Sequence, residues 1–118
     1  GRGAGALVSR FAVQGGPIRA AGLDERQQAV DVLIDAISAG LHGEMPALES
    51  TVVGPGAVAY DMVYGAEPTP FMRWAERLGA AAVCDGSGML VEQAAEAFLV
   101  WRGWRPDTAP VLAWLRHG

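Results

Sequence analysis

Residues 57–103 read AVAYDMVYGAEPTPFMRWAERLGAAAVCDGSGMLVEQAAEAFLVWRG, and this stretch decides the fold. Residues 57–62 are a short, nearly continuous apolar run, the pattern of a strand buried in a parallel sheet. Thr69-Pro70 then opens a helix. A threonine at the N-cap gives an acceptor to an orphan amide, and proline at the first helical position lacks the donor that would be orphaned there anyway. That helix is expected to run to Leu78 and stop at Gly79. Residues 80–84 read as the next strand, and 88–102 as a helix closed by Gly103. Strand, helix, strand, helix at this spacing means parallel pairing with right-handed crossovers, an α/β sheet.

Working outward, residues 30–38 (VDVLIDAIS) form a β-branched run with the look of a strand buried on both faces. A loop rich in glycine and proline, 39–56, separates it from the decisive stretch. Residues 18–21 are a short strand candidate, and Asp24 can cap a brief helix over 25–29. Residues 4–14 carry Leu7, Val8, Phe11 and Ala12 at helical spacing until Gly15-Gly16-Pro17 intervenes. At the other end, 107–117 read as a terminal helix with Pro110 in its first turn. About four strands with flanking helices result, in three layers. Ligands of such sheets collect outside the carboxyl ends of the strands. Segments 38–45, 62–69 and 85–88 should all open on that edge.

The 118 residues make one domain's worth of chain, with 51% hydrophobic and 19% charged residues, the balance of a globular protein. No apolar run approaches the ~18 residues of a membrane span, so a soluble protein with no membrane partner is expected. A net charge of −4 with scattered arginines argues against nucleic acid. The nine basic residues are all arginine, so the chain has no lysine and therefore no tunable amine base. The lone Cys84, set in an apolar run, reads as a buried, inert thiol, and a reducing cytoplasm fits it. His42 and His117 have no partner at metal-ligand spacing.

Several polar residues stand near the expected ligand edge. Gln93 offers an amide that donates and accepts to a hydroxylated ligand, or is a surface glutamine. Tyr64, just past a strand, presents its hydroxyl to a ligand or is an amphipathic core tyrosine. Gly86 and Gly88 bracket Ser87 and admit either a close ligand approach or a tight turn. Asp61 and Asp85 are functional carboxylates or turn caps. The four tryptophans, Trp74, Trp101, Trp104 and Trp114, read as core or interface aromatics.

The wording of DMVYGAEPTPFMRWAERLGA followed by DGSGMLVEQAAEAFLVWRGWRPD resembles the C-terminal part of the shikimate dehydrogenase family, and LIDAISAGLHGEMPAL resembles that family's Asn-Ala-Thr-Ser-x-Gly segment and the loop after it. The likeness covers about residues 32–115, with several motifs in the right order. It implies a partial Rossmann-like NADP-binding domain over 1–103 and, over 104–118, a helix that braces the substrate domain. By the resemblance Ser38, Met62 and Gly86 are cofactor-binding positions, and Tyr64 and Gln93 contact substrate. The chain departs from the family pattern at Asp35 and Ile37, where the family has Asn and Thr, and at Ser87, where it has leucine.

The resemblance further implies reduction of 3-dehydroshikimate with NADPH, within aromatic amino-acid biosynthesis. The family's catalytic lysine and aspartate and its glycine-rich cofactor loop have no counterpart here. A C-terminal fragment or truncated relative, inactive alone, is therefore expected, with no catalytic residue of its own. Its small-molecule partner is of the shikimate type once the N-terminal part completes the site. No tight NADP binding is expected of this chain alone, because pyrophosphate normally rests on amides of a glycine-rich helix start. The alternative is a non-enzymatic protein-interaction module derived from the same fold. With sheet neighbours missing, pairing through an exposed sheet edge or exchanged helices makes a homodimer the expected state.

Overall fold

In a computed structural model, residues 2–11, 17–23, 25, 28–37, 44–45 and 47–117 are described. Among these residues, four helices and three strands follow one another as α1 (Arg2–Phe11), β1 (Val30–Asp35), β2 (Val53–Asp61), α2 (Pro70–Arg77), β3 (Ala82–Cys84), α3 (Ser87–Arg102) and α4 (Ala109–His117). A 3-10 turn, Ser50–Val52, leads into β2. The strands pair in the order β1-β2-β3, all parallel. The α/β class with a parallel sheet and flanking helices is as the sequence predicts, with three strands rather than four among the described residues.

Both helix boundaries read from the decisive stretch hold. Thr69 caps α2, its hydroxyl accepting from the Met72 amide at 3.2 Å, and Pro70 occupies the first turn. Gly79 and Gly103 follow α2 and α3 with φ of 87° and 80°, the left-handed region where glycine carries no Cβ penalty. Residues 82–84 pair as β3, a shorter strand than expected.

Alternation along parallel strands assigns the two sheet faces. Leu33, Ala59 and Val83, neighbours in register, pack with Phe71 and Ala75 of α2, and these form the core together with Leu48, Trp74 and Ala80. Val32, Ile34, Val58, Tyr60, Ala82 and Cys84 lie on the opposite face. Here the expectation that β1 is buried on both sides fails. Val32 and Ile34 are 57% and 59% exposed, because no helix among the described residues covers that end of the sheet. Cys84, at the end of β3 on that same face, is also exposed and not buried.

Other departures are local. Residues 18–21 form no strand: they are exposed and have no neighbouring ladder to join. Glu25, Gln28 and Ala29 are not helical; the Glu25 carboxylate instead accepts from the Gly22 amide at 2.8 Å, and the Glu25 amide donates back to the Gly22 carbonyl, closing a turn. Asp24 lies outside the described residues. β2 begins at Val53, within the predicted loop. It pairs Val30 with Val53 and then Val32 with Val58, so Gly54-Pro55-Gly56 bulge from the ladder. Proline has no amide to give a ladder, and Gly56 takes φ of 79°, so this tripeptide suits a bulge. Trp101, Trp104 and Trp114 are exposed, and only Trp74 packs on the core.

Candidate functional site

Backbone hydrogen bonds tie the carboxyl ends of all three strands together. Met62 donates its amide to the Asp35 carbonyl at 2.9 Å, and Gly86 donates to the Val63 carbonyl at 3.1 Å. A Cβ placed on Gly86 would stand 2.1 Å from the Met62 carbonyl oxygen, nearer than any side chain tolerates. Glycine at 86 is thus required by this close crossing. It sets Met62 and Gly86, both predicted cofactor positions, against each other. Ser38, the third, lies outside the described residues, as do 39–43 of the loop after it.

Beside this crossing opens a cleft of about 770 Å³. Tyr60 and Tyr64, the 65–68 loop, Asp85, Ser87 and Gly88 line it, together with Leu115 and Arg116 of α4. Two of the three expected segments, 62–69 and 85–88, therefore do open on one edge. Tyr64 is half-exposed in the lining. Gln93 is exposed on α3 and is not part of the lining, so the structure does not bring the two predicted substrate residues into one cleft. Arg116 and Cys84 are lining residues that the sequence did not single out for this site; α4 reaches the cleft only through its packing on α3, which no local pattern shows.

Polar anchors fix the edge. Asp61 is fully buried, accepting from the Thr69 hydroxyl at 2.5 Å and from the Val63 amide at 2.8 Å, so it ties the end of β2 to the start of α2. The capping reading of this carboxylate is the one realised. Asp85 accepts from both the amide and hydroxyl of Ser87, at 3.1 and 2.5 Å, and sets the turn into α3. Asp35 differs. It is buried, its Oδ1 accepts from the Ile37 amide at 3.1 Å, and its Oδ2 has no hydrogen-bond partner among the described residues. Burial, reinforced by the neighbouring Asp61 charge and opposed by the Ile37 amide, raises its carboxyl above the ordinary aspartate range.

α4 is held to α3 by one cluster. Glu92 accepts from the Thr108 hydroxyl at 2.7 Å and pairs with Arg105, which also reaches Glu96 at 2.7 Å. The Thr108 and Arg105 contacts lower the Glu92 carboxyl below its ordinary value. Phe98 and Trp104 meet edge to face at 4.8 Å beside this cluster. No group of three metal-ligating side chains occurs among the described residues.

Parallel strands with a glycine crossing and an open cleft at their carboxyl ends, flanked by helices, make a Rossmann-like α/β arrangement. No protein-family model matches the chain. The shikimate dehydrogenase (NADP(+)) of Alcanivorax borkumensis is 68% identical over 103 residues, which are 87% of this chain and 37% of that protein. An Ael1 enzyme from Pseudomonas putida, a crystal structure, is 43% identical with a TM-score of 0.82, over 93% of this chain and 41% of its own. The ligand-free 5-ketofructose reductase of a Gluconobacter strain is 33% identical with a TM-score of 0.62, over 74% of this chain and 31% of its own. The chain spans about two-fifths of the length of the curated relatives it matches. It corresponds to the C-terminal part of the shikimate dehydrogenase family. These relatives do not favour the interaction-module alternative.

Proposed function

We propose that this chain supplies the C-terminal half of the NADP-binding domain and one wall of the substrate site of a shikimate dehydrogenase, which interconverts 3-dehydroshikimate and shikimate. The observation that carries the reading is the Met62–Gly86 crossing beside the Tyr64 cleft. The backbone is bare there, and a Cβ on Gly88 would meet nothing within 4 Å, so a flat ring has room to lie against main chain. This end fits the nicotinamide part of NADP, with Met62, Gly86 and Ser38 as its neighbours. The chemistry that bound NADP supplies is hydride transfer. Tyr64 orients the substrate by its hydroxyl, and Gln93 joins it when the remainder of the site is in place. Residues 104–118, anchored through Arg105 and Thr108, brace the substrate domain.

Proton transfer to the substrate oxygen needs a group that gains and loses a proton near neutral pH, and a chain without lysine has no amine for it. The isolated chain is therefore inactive, and turnover returns when an N-terminal portion from the Alcanivorax relative is supplied. Following NADPH absorbance with shikimate and NADP tests both statements. Turnover by the chain alone, or none from the two parts combined, contradicts the reading. NADP titrated calorimetrically into the chain alone should bind no tighter than the millimolar range, about 4 kcal/mol; a micromolar dissociation constant would show that the missing phosphate cradle is not needed. Alone, the chain pairs with itself through the β1 edge, which sedimentation equilibrium reports as a species of twice 12.3 kDa.

A further inference from the structure

Three aspartates close the strand ends with the same local turn: Asp35, Asp61 and Asp85 each accept from the amide two residues on, at 3.1, 2.8 and 3.1 Å. They differ in their further contacts. Asp61 turns its other oxygen to the Thr69 hydroxyl, and Asp85 also takes the Ser87 hydroxyl. Asp35 is only 6% exposed, and its Oδ2 has no partner among the described residues. Alternation along β1 puts Asp31, Leu33 and Asp35 on the sheet face that carries α2, and Asp35 stands in register with Asp61. The charge facing it from β2 is therefore Asp61. α2 carries Arg73, Glu76 and Arg77 at exposed positions, and Asp31 is exposed farther back along β1. Among the described residues only the Asp61 charge acts on Asp35, and both ion pairs there use Arg105, so no guanidinium offsets it.

The main chain of the same residue holds the strand-end crossing. Asp35 accepts the Met62 amide at its carbonyl, the Met62 carbonyl fills the space that a Cβ on Gly86 would need, and the Gly86 amide donates to Val63. A carboxylate at Asp35 would place a charged, unpartnered oxygen in a dry site beside a second carboxylate, which costs more than a neutral orphan does. Water reaches that oxygen when the end of β1 draws away from β2. The bond next to be lost is the one from Met62 to the Asp35 carbonyl.

We propose that Asp35 is a pH-sensitive latch on this crossing: with its proton on, β1 holds Met62 against Gly86, and once the proton leaves to water the end of β1 parts from β2 and frees Met62. The direction follows from burial and from the like charge of Asp61, which keep the proton on Asp35 to a higher pH than an exposed aspartate would. The crossing is thus tight in acid and loosens as pH rises. The α3–α4 cluster responds in the reverse sense, because Glu92 holds it in the charged form.

The test is an NMR titration of the 118-residue chain, labelled with carbon-13 and nitrogen-15, from mildly acidic to mildly alkaline pH. The Asp35 carboxyl carbon should titrate above the range of an exposed aspartate, and the amides of Ile37, Met62 and Gly86 should follow with the same midpoint. After correction for the intrinsic rise of exchange with pH, the Met62 amide should accelerate about tenfold more than the Val91 amide of α3, in keeping with the cost of stranding a buried charged acceptor. Asp35→Asn should remove the common transition and keep Met62 protected throughout. An Asp35 carboxyl that titrates as an exposed aspartate does, a Met62 amide that does not follow it, or a transition that survives in Asp35→Asn each overturns the proposal, the first two in the parent chain alone. None of these measurements involves cofactor or substrate, so failure of the latch and failure of the dehydrogenase reading are told apart.

Discussion

Asp35 and Asp61 stand opposite one another at the carboxyl ends of adjacent strands, yet among the described residues only Asp61 finds partners for both oxygens. A buried acceptor without a partner costs about 1–3 kcal/mol, and more when charged. Because the folded state holds the Asp35 carboxyl above its ordinary value, the native chain keeps its proton to a higher pH than the unfolded chain does. Stability from this group is full below the ordinary aspartate pKa and declines as pH rises through the raised folded value. Asp35→Asn should therefore stabilise the chain by about 1–2 kcal/mol at neutral pH and flatten that decline. Urea melts of both forms across mildly acidic pH check this, and a variant no more stable than the parent at pH 7 would refute it. Gly86 is the opposite case, a residue with no slack. Gly86→Ala drives a methyl into the Met62 carbonyl, so a loss of about 3 kcal/mol or outright unfolding is expected by the same melts.

Among the elements, α2 and α4 are held by different means. Thr69 caps α2 and also satisfies the buried Asp61, so Thr69→Ala removes a cap and strands a carboxylate. The expected loss is about 2 kcal/mol, above that of a simple cap, while Thr69→Ser retains most of the stability. The α3–α4 cluster is exposed and depends on charge. Glu92 has a lowered carboxyl, so its contribution is present above its ordinary pKa and lost as pH falls through the folded value. Hydrogen exchange of α4 amides should accelerate on acidification in the parent chain, and do so much less in Glu92→Gln. The same two helices mark what sequence makes legible. Thr69-Pro70, Gly79 and Gly103 fix element ends by local chemistry, and the structure keeps all of them. Residues 18–21 had propensity without a ladder to join among the described residues, and neither they nor Glu25, Gln28 and Ala29 take the form read for them. The strand at β2 began early because a bulge can absorb Gly54-Pro55-Gly56, a possibility that composition cannot distinguish from a loop. At the site, Tyr64 and the Met62–Gly86 crossing follow from strand ends, whereas Arg116 depends on how α4 folds back.

Over the molecule as a whole, the sheet is covered by α2 on one face and open at β1 on the other. Val32 and Ile34 there form an apolar edge that invites another chain. Val32→Lys places a charge on that edge without disturbing the core, so sedimentation should shift toward the single-chain mass with little change in melting temperature. A variant that stays paired would place the self-association elsewhere, for instance among Trp101, Trp104 and Trp114. The parallel order β1-β2-β3 also bears on how the chain reaches this state. Each ladder joins residues about 25 positions apart, and closure entropy grows only with the logarithm of that span, so neither ladder has an advantage in loop length. What separates them is what each loop contains. The β2-to-β3 connection carries a capped helix whose Phe71 and Ala75 supply the core as the strands meet, while the β1-to-β2 connection has only the 3-10 turn among its described residues. β2, α2 and β3 should thus assemble as the nucleus, leaving β1 to dock last and to be the first part of the chain that opens.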